Sequence, residues 1–323
     1  MLGATGTIGR ATAAALVRRG HEVVCLVRPK AGPDKTVQPN EAAGRLPGCE
    51  IRVGEAADPH SLRADGFRGE AFDAVVSCMA SRSGRADDAW AIDHRAHLDA
   101  LAAAEESGVG QFVLLSAICV QKPALAFQHA KRAFEDALIA SALDHSIVRP
   151  TAYFKSLSGQ IARVKAGKPF LVFGDGELTA CKPISDADLG DYIAGCLSEP
   201  DRRNRILPIG GPGAPITPRA QAEMLEELLG RPVKVKRVPI GLMDAMVRGL
   251  SLFGKFSPRL AGKAELARIG RYYATESMLV WDSVAGRYDA DATPEYGRDR
   301  LIDHYRRVLA GEESVDLGDH AVF

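Results

Sequence analysis

Apolar and polar positions along the first half of this chain alternate between two rhythms. Short, mostly β-branched runs at His21–Val27, Glu50–Val53, Phe72–Cys78, Gln111–Ser116 and His145–Pro150 read as strands. Between them lie stretches with helical spacing. One runs from Arg10 to Arg19 and stops at Gly20, another from about Asp87 to Ser107 before Gly108, and a third from about Leu125 to Leu143. Strands separated by helices predict βαβ units and a parallel, doubly wound sheet of the α/β class over residues 1–150. After Pro150 the rhythm changes. Gly174-Asp175-Gly176 is a turn, and Ile206–Ile209 predicts a strand returning to the sheet near 205–210. A loop from Gly210 to Pro215 leads to a helix with Thr217 as its N-cap and Pro218 at its first position. From Ile240 to Ala274 the chain is apolar and basic and reads as irregular helix.

The most specific local pattern is Gly3-Ala4-Thr5-Gly6-Thr7-Ile8-Gly9, directly before the first helix. Glycines at this spacing permit a tight turn, close backbone approach to a pyrophosphate, and close packing of helix on strand, while the helix N-terminus offers N–H groups to the phosphates. Gly3, Thr5, Gly6, Thr7, Ile8 and Gly9 are therefore the candidate dinucleotide-binding residues of a Rossmann-like fold. Only Met1-Leu2 precede the loop, so either the central strand starts further upstream or it is reduced to a stub, and a shortened start is expected to weaken the sheet. About twenty residues on, an acidic side chain would favour NAD; here the second strand ends in Val27-Arg28-Pro29-Lys30. Arg28 can meet a 2′-phosphate with a planar fork and Lys30 adds charge, which predicts NADPH.

Composition narrows the field. The 323 residues carry 41 basic and 41 acidic side chains, so no electrostatic footprint for nucleic acid exists. The six cysteines are scattered without a C-x-x-C, several inside apolar runs, as buried free thiols in a reducing compartment would be. His94 and His97 lie three apart but lack further ligands, and no metal site is expected. No signal peptide and no membrane-spanning apolar stretch is evident.

The loop at Gly3 to Gly9, Ser116 at a strand end, and Lys131 four residues after Phe127 together resemble the short-chain dehydrogenase/reductase superfamily in its extended or atypical branch. That resemblance implies a catalytic serine at Ser116, a lysine at Lys131 that also binds the nicotinamide ribose, and a tyrosine where this chain has Phe127. Phenylalanine cannot protonate the oxygen formed when a carbonyl is reduced, so ordinary alcohol–ketone chemistry is not expected. An alkene conjugated to a large π-system needs no such partner.

Longer segments resemble one family more closely: Leu115–Pro123 with Phe127–Lys131, Ser146–Leu157, Phe173–Gly176, Ala180–Ser185, Leu207–Gly213 and Ile269–Met278. They are similar to the NADPH-dependent divinyl chlorophyllide a 8-vinyl reductases of chlorophyll and bacteriochlorophyll biosynthesis. The resemblance implies reduction of the C8 vinyl group of divinyl chlorophyllide or protochlorophyllide to ethyl. The proton could come from Lys131, His129, a tyrosine of the second lobe, or water. Residues 151–323 become mostly a substrate-binding lobe for a flat apolar tetrapyrrole, with aromatic candidates Tyr153, Phe154, Phe170, Phe173, Tyr272 and Tyr273, and with Lys155 and Arg271 as partners for its propionate. His129 is expected on the surface. Leu242, Met243, Met246, Val247 and Leu250 predict a helix buried on the sheet lobe; the alternative is an apolar surface that grips the pigment or lies at a bilayer interface. The resemblance further implies a cytoplasmic protein peripheral to a photosynthetic membrane, or a chloroplast one if a transit peptide precedes it. Competing readings are another atypical double-bond reductase and a non-catalytic NADP-binding sensor or accessory subunit.

Overall fold

The computed structural model describes residues 1–29, 39–254 and 258–314. In chain order it contains α1 (Thr7–Arg18), β1 (Val23–Val27), α2 (Pro39–Arg45), β2 (Cys49–Val53), α3 (Pro59–Ser61), β3 (Ala74–Ser77), α4 (Ala86–Ala89), α5 (His97–Glu106), β4 (Gln111–Leu115), α6 (Ala126–Ala140) and β5 (Asp144–Pro150). There follow α7 (Ile161–Lys165), β6 (Phe170–Phe173), α8 (Asp186–Gly195), β7 (Arg205–Ile209), α9 (Pro218–Leu229), β8 (Val235–Val238), α10 (Ile240–Gly254), α11 (Pro258–Thr275), β9 (Val280–Asp282), β10 (Arg287–Asp289) and α12 (Leu301–Ala310). Two units emerge. One comprises residues 1–81, 86–150 and 186–208; the other comprises 82–85, 151–185 and the chain from 209 onward.

Leu2 joins the sheet of the first unit. It bridges in parallel to Leu26 of β1 on one side and to Ser77 of β3 on the other, with Leu2 N donating to Val76 O and Cys78 N donating to Leu2 O, each at 2.9 Å. Strand order is thus β2-β1-Leu2-β3-β4-β5-β7, and the β1–β2, β3–β4 and β4–β5 pairs are parallel. The order reverses direction at Leu2, and ligands of such sheets bind outside the strand ends at that switch point. Strands β3 and β4 are mostly apolar because they are covered on both faces; Gln111 to Leu115 are all buried. Phe112, Phe134, Ile147 and Leu138 form the centre of this core, with Phe112 and Phe134 edge to face at 5.8 Å.

The expected strands all form: β1, β3 and β4 are shorter than their apolar runs, β2, β5 and β7 each begin one residue earlier, and β7 does return beside β5. The helix expected from Asp87 to Ser107 is not uniform, because a π-helical turn at Trp90–Ala96 separates α4 from α5. The first unit also takes α8, a helix beyond Pro150. Gly190 of α8 lies on the backbone of α1, where a Cβ would come within 2.6 Å of the Ala11 carbonyl carbon.

In the second unit, α7, α9 and α12 close over the parallel pair β6–β8 around Phe154, Phe170, Val172, Leu225, Leu301 and Tyr305. Thr217 caps α9 by accepting from Ala220 N at 3.2 Å, and Gly230 ends it with φ +60°. Strand β6, strand β8 and the antiparallel hairpin β9–β10 were not signalled by the sequence pattern, being only three or four residues long.

Candidate active site

The glycine loop follows Leu2 and turns into α1. Gly3 has φ +71°, and a Cβ there would lie 2.5 Å from the Cys78 carbonyl carbon. A Cβ on Gly9 would lie 2.1 Å from Gly3 O, so helix and loop meet backbone to backbone. Gly6 is the N-cap of α1 and offers no side-chain acceptor, and no acidic residue occupies the first turn. A helix N-terminus without a side-chain cap can offer its N–H groups to a phosphate. Thr5, Gly6 and Thr7 are half-exposed, whereas Ile8 and Gly9 are buried, so Ile8 contributes its backbone while its side chain packs inward. This cradle fits a pyrophosphate.

Arg28 follows the last residue of β1 and is exposed. Lys30 falls outside the described residues. On the other side of the switch point, the segment after β3 runs Cys78-Met79-Ala80-Ser81 and serves two neighbours. Its Cys78–Met79 backbone backs Gly3, and Ser81 binds Asp93, donating from its N at 3.2 Å and from its Oγ at 2.5 Å. Asp93 sits in the π-helical turn with its side chain fully buried, and Lys131 Nζ of α6 is 3.0 Å from its Oδ1. The segment after β3 therefore brings the glycine loop and Lys131 to one end of the sheet.

Ser116, at the end of β4, is buried and its Oγ has no hydrogen-bond partner among the described residues. A buried hydroxyl left without a protein partner is costly unless water or a ligand completes it. Phe127 is half-buried at the start of α6, and Gln128 beside it accepts from Ala124 N at 2.7 Å and Leu125 N at 2.9 Å, fixing the helix start. His129 is exposed. His97 is buried with Nε2 2.9 Å from Ser77 Oγ and Nδ1 2.8 Å from Ile92 O, so both ring nitrogens are engaged by the protein. Burial first, then the positive charge of Lys131, lowers its pKa to about 4. Burial likewise pushes the Cys78 thiol up to about 11.

The second-unit candidates separate by environment. Phe154 and Phe170 are packed into the core around Tyr305 and Leu225, which corrects their expected place at a substrate surface. An aromatic run in a small lobe is drawn inward by the large area it removes from water. Tyr153 and Phe173 are half-buried, as is Lys155. Tyr272 is 6% exposed and Tyr273 40% exposed, their rings edge to face at 5.7 Å, so only Tyr273 offers an open face. Arg271 is engaged by Asp244. The expectation of a buried helix after Ile240 is also corrected: among its described residues from 240 to 251 none is buried, and Leu242 and Met246 are more than half exposed.

Asp93 was not legible in the sequence. No spacing rule ties a lone carboxylate in Ala91-Ile92-Asp93-His94 to a lysine on another helix, and helical periodicity does not reveal a π turn.

A profile of the NAD(P)H-binding family matches residues 3–200. The chain is 46% identical to the chloroplastic divinyl chlorophyllide a 8-vinyl-reductase of Zea mays, over 99% of this chain and 82% of that protein. The same enzyme of Oryza sativa is 47% identical, over 99% of this chain and 81% of its own. The chain belongs to the divinyl chlorophyllide a 8-vinyl-reductase family. Its fold is shared with the NADPH-dependent quinone oxidoreductase QOR2 of Escherichia coli, solved with NADPH, at a TM-score of 0.68 and 16% identity, over 95% of this chain and 98% of that one.

Three of the segments that resemble this family, Ala180–Ser185, Leu207–Gly213 and Ile269–Met278, are joined by hydrogen bonds. Met278 N donates to Ala180 O at 2.9 Å, Ala180 N to Ser277 Oγ at 3.0 Å, and Gly211 N to Lys182 O at 3.0 Å. Lys182, itself buried, reaches Glu295 Oε1 at 2.6 Å. The family's pattern after residue 180 thus describes one hydrogen-bonded junction.

Proposed function

We propose that this chain reduces the C8 vinyl group of divinyl chlorophyllide or divinyl protochlorophyllide to an ethyl group. The observation that carries the reading is Phe127 at the place of the superfamily's tyrosine, in a chain nearly half identical to the vinyl reductases along its whole length. A site without a phenol is suited to a C=C acceptor whose negative charge spreads into the macrocycle. NADPH supplies the hydride when bound.

The chain's own residues bind and orient. Gly3, Gly6 and Gly9 with the backbone of Thr5, Thr7 and Ile8 hold the pyrophosphate on the N-terminus of α1. Arg28, exposed directly after β1, takes the 2′-phosphate, and Lys30 follows it in sequence. Lys131 holds the nicotinamide ribose, and Ser116 offers to the reacting end a buried hydroxyl that has no partner among the described residues. Tyr153, Lys155 and Tyr273 are the second unit's remaining contributors to pigment binding; Tyr272 supports Tyr273 from the core, and Arg271 enters only if it exchanges Asp244 for a propionate.

Among the described residues no helix is long and apolar enough to cross a membrane. Peripheral contact with the pigment-bearing membrane is part of this reading, in the cytoplasm of a bacterium or in a chloroplast. Its support is the exposed Leu242 and Met246 on α10, together with six basic and two acidic residues between 240 and 275. Cosedimentation with anionic vesicles, lost in Leu242→Asp/Met246→Asp, tests that contact; equal sedimentation of both proteins overturns it. The activity itself is tested by incubating the protein with divinyl chlorophyllide and NADPH under anaerobic conditions. A blue shift of the Soret band is expected, and an unchanged band with folded protein overturns the proposal.

A further inference from the structure

Lys131 has three N–H donors and a flexible stem. In this structure it donates to one carboxylate oxygen, at 3.0 Å, and its side chain is 11% exposed. Asp93 is more constrained. Its side chain has no exposure, Oδ1 takes Lys131 and Ser81 N, and Oδ2 takes Ser81 Oγ. A buried carboxylate is tolerated only when paired and hydrogen-bonded in this way. It also sits in a π-helical turn, a rare distortion that concentrates at functional sites. Two titratable groups nearby are occupied elsewhere: His97 between Ser77 and Ile92 O, and the Cys78 thiol toward Thr12 Oγ1 at 3.7 Å.

We infer that Asp93, braced by Ser81, is the positioning residue that aims Lys131 at the nicotinamide ribose, an inference that rests on the role proposed for Lys131. In the usual arrangement of the superfamily a tyrosine hydroxyl stands one helical turn before the lysine. Phe127 offers none, so a different group must keep the ammonium from wandering. Asp93 occupies one of the three donors and leaves two, the number a ribose diol can accept. Because Ser81 closes the segment whose Cys78–Met79 backbone supports Gly3, the same short stretch sets both the pyrophosphate cradle and the lysine. Asp93 thus acts through Lys131 and needs no contact with the cofactor.

The test is NADPH affinity, read by fluorescence of the bound nicotinamide, in Asp93→Asn, Lys131→Met, the double variant and Ser81→Ala, each confirmed folded by circular dichroism. Asp93→Asn is expected to weaken NADPH binding roughly tenfold, the scale of a hydrogen bond to a charged group, and Ser81→Ala to weaken it less in the same direction. In the Lys131→Met background, Asp93→Asn is expected to add nothing, since its effect passes through the missing ammonium. An equal penalty in both backgrounds, or none in either, overturns the inference while leaving Lys131 in place. Lys131→Met binding NADPH as the parent does would overturn the role of Lys131 and, with it, that of Asp93. Should Asp93→Asn fail to fold, Ser81→Ala carries the same comparison in both backgrounds.

Discussion

Single side chains carry the proposed cofactor selectivity and one expected acid-sensitive contribution to stability. Arg28 is exposed at the end of β1, so its removal costs little packing, and any effect on binding tests the proposed phosphate contact. Arg28→Ala is expected to weaken NADPH about tenfold or more while NADH affinity stays within about twofold, as titration of each would show. His97 makes a different prediction. Its pKa falls from 6.5 to about 4 on folding, because burial penalises the imidazolium. The folded state therefore binds fewer protons than the unfolded one below pH 6.5. Stability from this residue is full above about pH 6.5 and is lost as pH falls toward 4, at up to about 1.4 kcal/mol per pH unit. Urea unfolding at pH 7, 6 and 5 should show the decline, with a shallower slope in His97→Gln. Phe127 and Lys131, spaced i and i+4, were legible as a pair from sequence because α6 is a regular helix. Asp93 was not, since its meaning depends on a helix thirty-eight positions away.

At the scale of elements, close backbone contacts decide where the helices lie. Gly190 is the contact between α8 and α1, the helix whose N-terminus forms the phosphate cradle. A Cβ there would press on Ala11 and Thr12 backbone atoms that cannot swing away. Gly190→Ala is expected to destabilise the protein by roughly 1–3 kcal/mol, the usual cost of overpacking, and to lower NADPH affinity by tilting α1. Thermal unfolding with and without NADPH separates the two effects. The strands of the first unit and its helices α1 and α6 were readable because each buries one continuous stripe or run, and that periodicity is a local property. The fate of α10 was not readable. Its apolar spacing is equally that of a core helix and of an exposed amphipathic one, and only the neighbours it meets distinguish them.

Across the whole molecule, the family and the reading of its activity rest on segments spread from the glycine loop to Met278. Ligand binding to the folded state alone must raise its stability. NADPH at a hundred times its dissociation constant should add about 2.7 kcal/mol, visible as a higher Tm, and NADH at the same concentration should add less. A chain whose Tm ignores NADPH would contradict the cofactor site described above. The sequence by itself determined the alternation that builds a parallel sheet, the glycine loop, the basic residue at the end of β1, and the exchange of tyrosine for Phe127. All of these are encoded in spacing along one strand, loop or helix. Tertiary structure alone decided that Asp93 holds Lys131, that Phe154 is core while Tyr273 is not, and that Ala180–Ser185 is bonded to Ser277 and Met278. Those outcomes depend on which distant elements share a desolvated space, and burial acts between elements brought together by the fold.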